Sequence, residues 1–587
     1  MHYFFISLFF LSGTIQAAEK FTDFTCDQLI EKSADKKFAL STLAGLRAHK
    51  KCPNFKYDWR SISGFEKRLF SEELLEIDPT APKPTSEKSI DELRTQIKIE
   101  KNNFEKFKLY KALRQKYKNA GKRDDSKRIA KELYNWTLKN WKSAKKDPIA
   151  ISQYLDAGLS NARVLWNADQ IKPAKDLIKK INSDLKNENL AESYFLSGKL
   201  AEDEKNIPDA IHNYDLSLKA VQKWGVPVGS GLDVNKLSWT KSWLLYKTEK
   251  WLEAEVAFRE FSESTTDLTE KTRADFFRSR ALVKLNKPEE AKLVLKNIIQ
   301  KDFYSYYALA SYYQLNENLP AVSKIKSPSI FNFDLKLNFL DENFRNIFDA
   351  LIKYDELDIA EKAVIVFSKN NDQNVNLSLY LAKETQRYLP LFSSFAKLVN
   401  DAKMDVMQKY PELVFPRPHE SMVKKMSEKT DLPNSLIYSI MKQESGFNIK
   451  TRSHADAYGL MQLIPRLAKS LAKKYEVPYK NAEDLFNPEI NIPLGSFELR
   501  DQIKKQNGQL TYVAAAYNAG PGALSGWLKT RPANADIFDF IESIPYDETR
   551  LYVKIIARNK LFYERFEKPD QSFPFPAEFV AEITSAK

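Results

Sequence analysis

Three short stretches near the C-terminal end of the 587-residue chain carry side chains suited to acid–base chemistry, each set on a helix face. In DLPNSLIYSIMKQESGFN, residues Ile437, Ile440, Met441 and Glu444 recur at i, i+3, i+4 and i+7. This spacing predicts a helix with the Glu444 carboxyl on its apolar face near the C-terminal end. Pro433 suits its first turn, and Gly446 is a stop signal. Desolvation on such a face raises a carboxyl pKa, as a general acid working near neutrality requires. On helix geometry alone, a structural glutamate paired with a buried Arg or Lys is the better account. In LTYVAAAYNAGPGAL, Leu510, Val513, Ala514 and Tyr517 share a face. That helix is predicted to end at Asn518–Gly520 with Pro521 beyond, leaving the Tyr517 hydroxyl at a terminus. A polar substrate group or an ordinary core position would each explain that tyrosine. In FIESIPYDETRLYVKII, a helix is predicted from Pro545, with Glu548, Tyr552 and Ile555 on one side.

Helices must position these groups, because glycine is scarce. The chain has 16 in 587 residues, where average usage of about 7% would give roughly 40. None lies between Gly231 and Gly446, which predicts helix after helix and leaves little room for β-hairpins. Gly446, Gly459, Gly495, Gly508, Gly520, Gly522 and Gly526 then cluster around the three stretches, as expected of loops built around a site. The proline-rich PELVFPRPHE, from Pro411 to Glu420, marks where this last domain begins. No GxxxxGK[ST] or GxGxxG run is present, which argues against a nucleotide phosphate cradle. Two cysteines and five histidines without HExxH spacing argue against a dedicated metal site.

Upstream, residues 86–319 read as stacked amphipathic helices of tetratricopeptide-like type. Small alanines (Ala210, Ala254 and Ala291) fall at irregular intervals where paired helices approach closely. The aromatic run FYSYYALASYYQL, from Phe303 to Leu315, is expected to be packing core rather than a ligand platform. Residues 320–410 read as a helical connector without legible chemistry, and residues 18–85 as an N-terminal helical segment. The apolar YFFISLFFL followed by SGTIQAA predicts a signal peptide over residues 1–17 and export. Nothing else approaches the length of a membrane span. Export makes a Cys26–Cys52 disulfide plausible, with two free thiols as the alternative. The charge balance of 91 Lys and Arg against 78 Asp and Glu gives +13. A solvated lysine-rich surface is its plainest reading; a polyanionic partner such as nucleic acid, acidic lipid or cell wall is the functional one. Export speaks against nucleic acid.

Taken together the motifs resemble a known family. Glu444-Ser445-Gly446-Phe447-Asn448, Ser453, Gly459-Leu460-Met461-Gln462 with Pro465, NPEINIPLG with Asn491 and Gly495, Ala516-Tyr517-Asn518-Ala519-Gly520, and Ile544-Pro545 with Glu548-Thr549-Arg550 and Tyr552-Val553 occur in that order. The order is similar to the catalytic domain of the soluble lytic transglycosylases, from about Leu432 to Tyr563. The upstream helices resemble the large periplasmic members. The resemblance implies an all-α chain: a helical superhelix, or solenoid of helix pairs, followed by a mostly helical lysozyme-like catalytic domain over residues 411–587. It implies cleavage of peptidoglycan glycan strands between N-acetylmuramic acid and N-acetylglucosamine in the periplasm. A 1,6-anhydro end would form without water, metal or organic cofactor, and no stable membrane anchor is implied. Glu444 would be the single catalytic acid/base. Ser453 would help hold the N-acetyl group, Gln462, Tyr517 and Glu548 would line the cleft, and Met461, Asn518 and Tyr552 would have cleft or support roles. Two positions depart from the family pattern. Asp456 stands where glycine is usual, and Ile464 where methionine is common. Asp456 is expected to cap a turn. Its alternative role, holding a water as in goose-type lysozymes, would make the protein a muramidase. A non-catalytic wall-binding scaffold is the reading from outside enzymology.

Overall fold

The computed structural model describes residues 20–77, 88–227, 230–325, 333, 335–367, 371–531 and 535–580. The predicted signal peptide, residues 1–17, and the 85/86 boundary lie outside the described residues. Helices make up the described chain. Extended pairing is limited to three isolated antiparallel bridges, Leu319 with Phe573, Arg452 with Tyr458, and Tyr458 with Leu463. No described helix is long and apolar enough to cross a membrane. The chain divides into two compact units, residues 80–311 and residues 1–79 with 312–587.

The 80–311 unit is built from consecutive helices that pack in pairs. Three pairs are Ala191–Asp203 with Ile207–Trp224, Val234–Lys247 with Trp251–Ser264, and Leu268–Lys284 with Pro288–Lys301. Ala210, Ala254 and Ala291 are buried between them, as the spacing predicts. Close approach is seen at Gly158 and Gly198, where a Cβ would stand 2.4 Å from the Ile181 side chain and from the Tyr214 ring. Tyr304, Tyr306 and Tyr307 are buried, so this part of the aromatic run is packing core.

In the other unit the start of the chain joins the connector. Phe21, Leu43, Leu46 and Phe70 share one apolar core with Phe344, Phe348, Leu351 and Leu377. Arg47 makes a two-pronged ion pair with Glu356, its second contact 2.8 Å long. Cys26 and Cys52 form a disulfide across 26 residues of chain. The last domain packs the helices Asn434–Ser445 and Leu510–Ala519 against the long helix Asp547–Glu567. Two helices start differently from expectation. Pro433 is extended and precedes the first helical residue. The Asp547 helix opens two residues after Pro545, behind Tyr546. Asp547 and Glu548 fill its first turn, where the positive end of the helix dipole favours carboxylates.

Candidate active site

Glu444 lies in the last turn of its helix, which Gly446 ends in the left-handed conformation (φ 54°). The preceding residues Ile437, Ile440 and Met441 are fully buried, so the periodicity carries the carboxyl into the domain. Burial pushes the Glu444 pKa up, and the nearby Glu548 carboxylate pushes the same way. The hydrogen bond from Tyr552 opposes them, and the balance stands at about 7. The Tyr552 hydroxyl donates to Glu444 Oε1 at 2.6 Å. Burial and the Glu444 carboxylate hold the Tyr552 phenol far above its ordinary pKa, so it remains a donor. The carboxyl is therefore a half-buried, near-neutral acid steered by one tyrosine. It is not the salt-bridged structural glutamate that helix geometry alone favoured.

The rest of the site is arranged around one loop. Tyr517, in the final turn of Leu510–Ala519, donates to the Met461 carbonyl at 2.9 Å. Burial, then the charges of Glu444 and Glu498, hold its phenol in the neutral form. The Met461 N–H donates to Asn491 Oδ1 at 2.8 Å. Asn491 is fully buried, and its amide donates to the carbonyls of Tyr458 and Leu485. One asparagine thereby satisfies three backbone groups that water cannot reach. Ser445, the neighbour of Glu444, donates to the Leu460 carbonyl at 2.9 Å and accepts the Phe447 N–H at 3.1 Å. The glutamate helix is thus tied to Leu460, the loop residue next to the Met461 that Tyr517 and Asn491 both hold. Gly459 makes the fit possible: it adopts φ +73°, and a Cβ there would stand 2.1 Å from the Leu485 carbonyl oxygen.

Glu444, Tyr552, Tyr517 and Met461 are brought together. Asn518 and Glu548 form a second cluster beside them, where Asn518 reaches Glu548 at 3.4 Å and accepts from Thr549 at 2.6 Å. The Glu548 side is exposed. Gln462 (φ 48°) donates to the carbonyls of Thr451 and Gly459, turning back into its own loop. The Ser453 oxygen accepts the N–H groups of Ala455 and Ala457 and so shapes the turn before that loop. Asp456 closes the turn in the left-handed conformation (φ 62°), where glycine would be strain-free. Its carboxylate pairs with Arg452 at 2.7 Å and accepts from the Tyr458 hydroxyl at 2.8 Å. These partners hold its pKa below the ordinary aspartate range, first through Arg452 and then through Tyr458. Ile464 is exposed and precedes the helix Pro465–Tyr475. Sequence reasoning singled out Asn491 and Ser445 only as motif letters. Their roles in holding the loop are visible only once the loop has folded. Among the described residues, no cluster of three or more His, Cys, Asp or Glu is placed to hold a metal ion.

The elements that assemble this site define a class. Residues 421–539 match the family model described as "Transglycosylase SLT domain". The chain is 28% identical over 304 residues to the soluble lytic murein transglycosylase of Escherichia coli K12, a match covering 51% of this chain and 45% of that protein. It is 31% identical over 169 residues to a putative soluble lytic murein transglycosylase of Haemophilus influenzae, covering 29% and 28%. The chain thus spans less than half the length of these curated relatives. Its structure is similar to that of an inactive mutant of the lytic transglycosylase Slt from Pseudomonas aeruginosa, with a TM-score of 0.57 at 18% identity, covering 94% of this chain and 96% of that one. It is also similar to the 70 kDa soluble lytic transglycosylase of Escherichia coli, with a TM-score of 0.53 at 19% identity, covering 93% and 94%. The expected all-α, superhelical fold class and the resemblance to the soluble lytic transglycosylases are borne out.

Proposed function

We propose that the protein is a peptidoglycan lytic transglycosylase of the periplasm, with Glu444 as its single acid/base. The observation that carries the reading is the half-buried Glu444 carboxyl, pushed up to about 7 and oriented by Tyr552 at 2.6 Å. Protonated Glu444 gives its proton to the glycosidic oxygen as the bond to the anomeric carbon of N-acetylmuramic acid breaks, and N-acetylglucosamine leaves with a free 4-hydroxyl. The N-acetyl oxygen of the substrate supports the positive charge developing at the anomeric carbon, in place of a second enzyme carboxylate. Glu444, now ionised, takes the proton of the muramic acid 6-hydroxyl, and that oxygen closes onto the anomeric carbon. The catalyst is regenerated, and no water enters the balance.

A group that serves first as acid and then as base works best with a pKa near the ambient pH. Neutral Tyr552 and Tyr517 supply donors without adding charge beside it. Glu548 and Asn518, at the open side, and Ser453 and Gln462, on the loop, are assigned to sugar binding. Met461 is assigned to the floor that Tyr517 grips. Asp456 is engaged by Arg452 and Tyr458, which favours the turn-capping role over the holding of a water. Digestion of purified peptidoglycan by the mature protein and by Glu444→Gln, with mass spectrometry of the released fragments, tests the reading. Anhydro-muramyl ends from the first and none from the second are expected. Reducing ends, one water heavier, would make the protein a muramidase.

A further inference from the structure

The connector, residues 320–410, carries no chemistry legible in its sequence, yet one of its helices grips the turn that presents Glu444. We propose that the helix Leu389–Lys397 belongs to the catalytic apparatus, with Leu389 and Phe392 acting as positioning residues for Glu444. Three contacts carry this.

The first is at Gly446. A Cβ built there would stand 2.3 Å from Leu389 Cδ2 and 2.7 Å from its Cγ. Leu389 therefore occupies the space that a side chain at position 446 would need, seated on the backbone two residues past the carboxyl. The second is at Phe447, a non-glycine residue in the left-handed region (φ 69°) directly after Gly446. Such a conformation persists where the surroundings over-determine it. The surroundings here are connector rings: Tyr388 meets Phe447 edge-on at 5.8 Å, and Phe392 meets it at 6.4 Å. The third is at Lys442, two residues before Glu444. Its Nζ sits 3.2 Å from the centre of the Phe392 ring and 4.9 Å from that of Phe415, and donates to the Val414 carbonyl. Burial and the nearby Arg558 push the Lys442 pKa well down, so what anchors this side chain is its packing on the two rings together with the hydrogen bond to the Val414 carbonyl.

Leu389 and Phe392 of this helix, with Tyr388 at its N-cap, thus reach residues 442, 446 and 447 around the carboxyl. Tyr552 meets the Glu444 carboxyl at 2.6 Å. A hydrogen bond of that length tolerates little movement of the turn, and a misplacement of about 1 Å at a reacting group costs on the order of 100-fold in rate. Leu389 is itself 38% exposed. Its truncation removes less buried apolar area than that of a fully enclosed leucine, so the melting temperature is expected to move less than the rate, which separates a positioning role from a merely structural one.

This inference rests on the assignment of Glu444 as acid/base, and the test keeps the two apart. In the full chain, kcat and KM for release of anhydro-muramyl ends are measured for Leu389→Ala, Leu389→Met, Phe392→Leu and Glu444→Gln, together with Tm. The expected result for Leu389→Ala is a kcat lowered about 10-fold or more, with KM within about twofold and Tm nearly unchanged. Leu389→Met, which refills the space over Gly446, restores most of the rate. Phe392→Leu lowers kcat in the same sense, and carries the test should Leu389→Ala not fold. Wild-type kcat in folded Leu389→Ala and Phe392→Leu overturns the inference. So does a loss that tracks Tm and that Leu389→Met does not restore. An active Glu444→Gln overturns the acid/base assignment instead, and the positioning role falls with it.

Discussion

Replacing Tyr552 by phenylalanine keeps the ring and removes one hydroxyl, the one that donates to Glu444 Oε1 at 2.6 Å. That hydrogen bond is the one influence holding the carboxyl pKa down against burial and Glu548. Hydrogen bonds to charged groups contribute about 1.5–3 kcal/mol, and one pKa unit is about 1.4 kcal/mol, so its loss raises the Glu444 pKa by about 1–2 units. The value would move from about 7 to between about 8 and 9. In the proposed mechanism the first step needs the protonated carboxyl, so activity is expected to fall as pH rises through that pKa. The Phe variant should therefore hold its plateau to higher pH than the wild type, even as its maximal rate drops through poorer orientation. The assay is the rate of muropeptide release from one peptidoglycan preparation between pH 5 and 10. Titration of the substrate is common to both proteins and cancels in the comparison. An alkaline limb that stays in place or moves to lower pH in Tyr552→Phe would refute the account of how the carboxyl is tuned.

The raised pKa also links Glu444 to stability. Between the ordinary 4.5 and the folded value of about 7, the folded protein binds more protons than the unfolded chain, so stability falls as pH rises through that window by about 3 kcal/mol. Glu444→Gln should abolish this decline and melt higher than the wild type at pH 8 but not at pH 4; equal differences at both would contradict it. Asn491→Ala leaves the Met461 N–H and the carbonyls of Tyr458 and Leu485 without their buried partner. The cost should be about 3 kcal/mol or more, read as a fall in the melting temperature of the domain together with a loss of kcat through the Met461–Tyr517 contact. A melting temperature within about 1 °C of wild type would show that the loop is held otherwise. Asp456→Gly should leave the product as anhydro ends, because glycine is comfortable at φ 62° and the lost ion pair is at the surface; a change of product would make Asp456 a participant in the chemistry.

The sequence by itself determined the elements. The i, i+3, i+4, i+7 pattern puts Glu444 on the same helix face as Ile437, Ile440 and Met441, because residues at those spacings line up on one side of an α-helix; Leu436 and Tyr438 on its other faces are buried as well. Gly446 and Gly520 end their helices where they must, since each takes a positive φ that residues with a Cβ resist. The scarcity of glycine upstream read correctly as helix after helix. Tertiary structure alone decided the electrostatics of the site. The Glu444 pKa depends on burial together with Tyr552 and Glu548, residues more than a hundred positions away, and desolvation is a property of the packed domain that no local window contains. The pairing of residues 20–77 with 337–381 in one core joins chain segments far apart in sequence, and neither segment's pattern names its partner. The seat of Leu389 on Gly446 was invisible for the same reason. An apolar residue in a connector helix has no signature of its own until the fold sets it against the backbone that carries the acid.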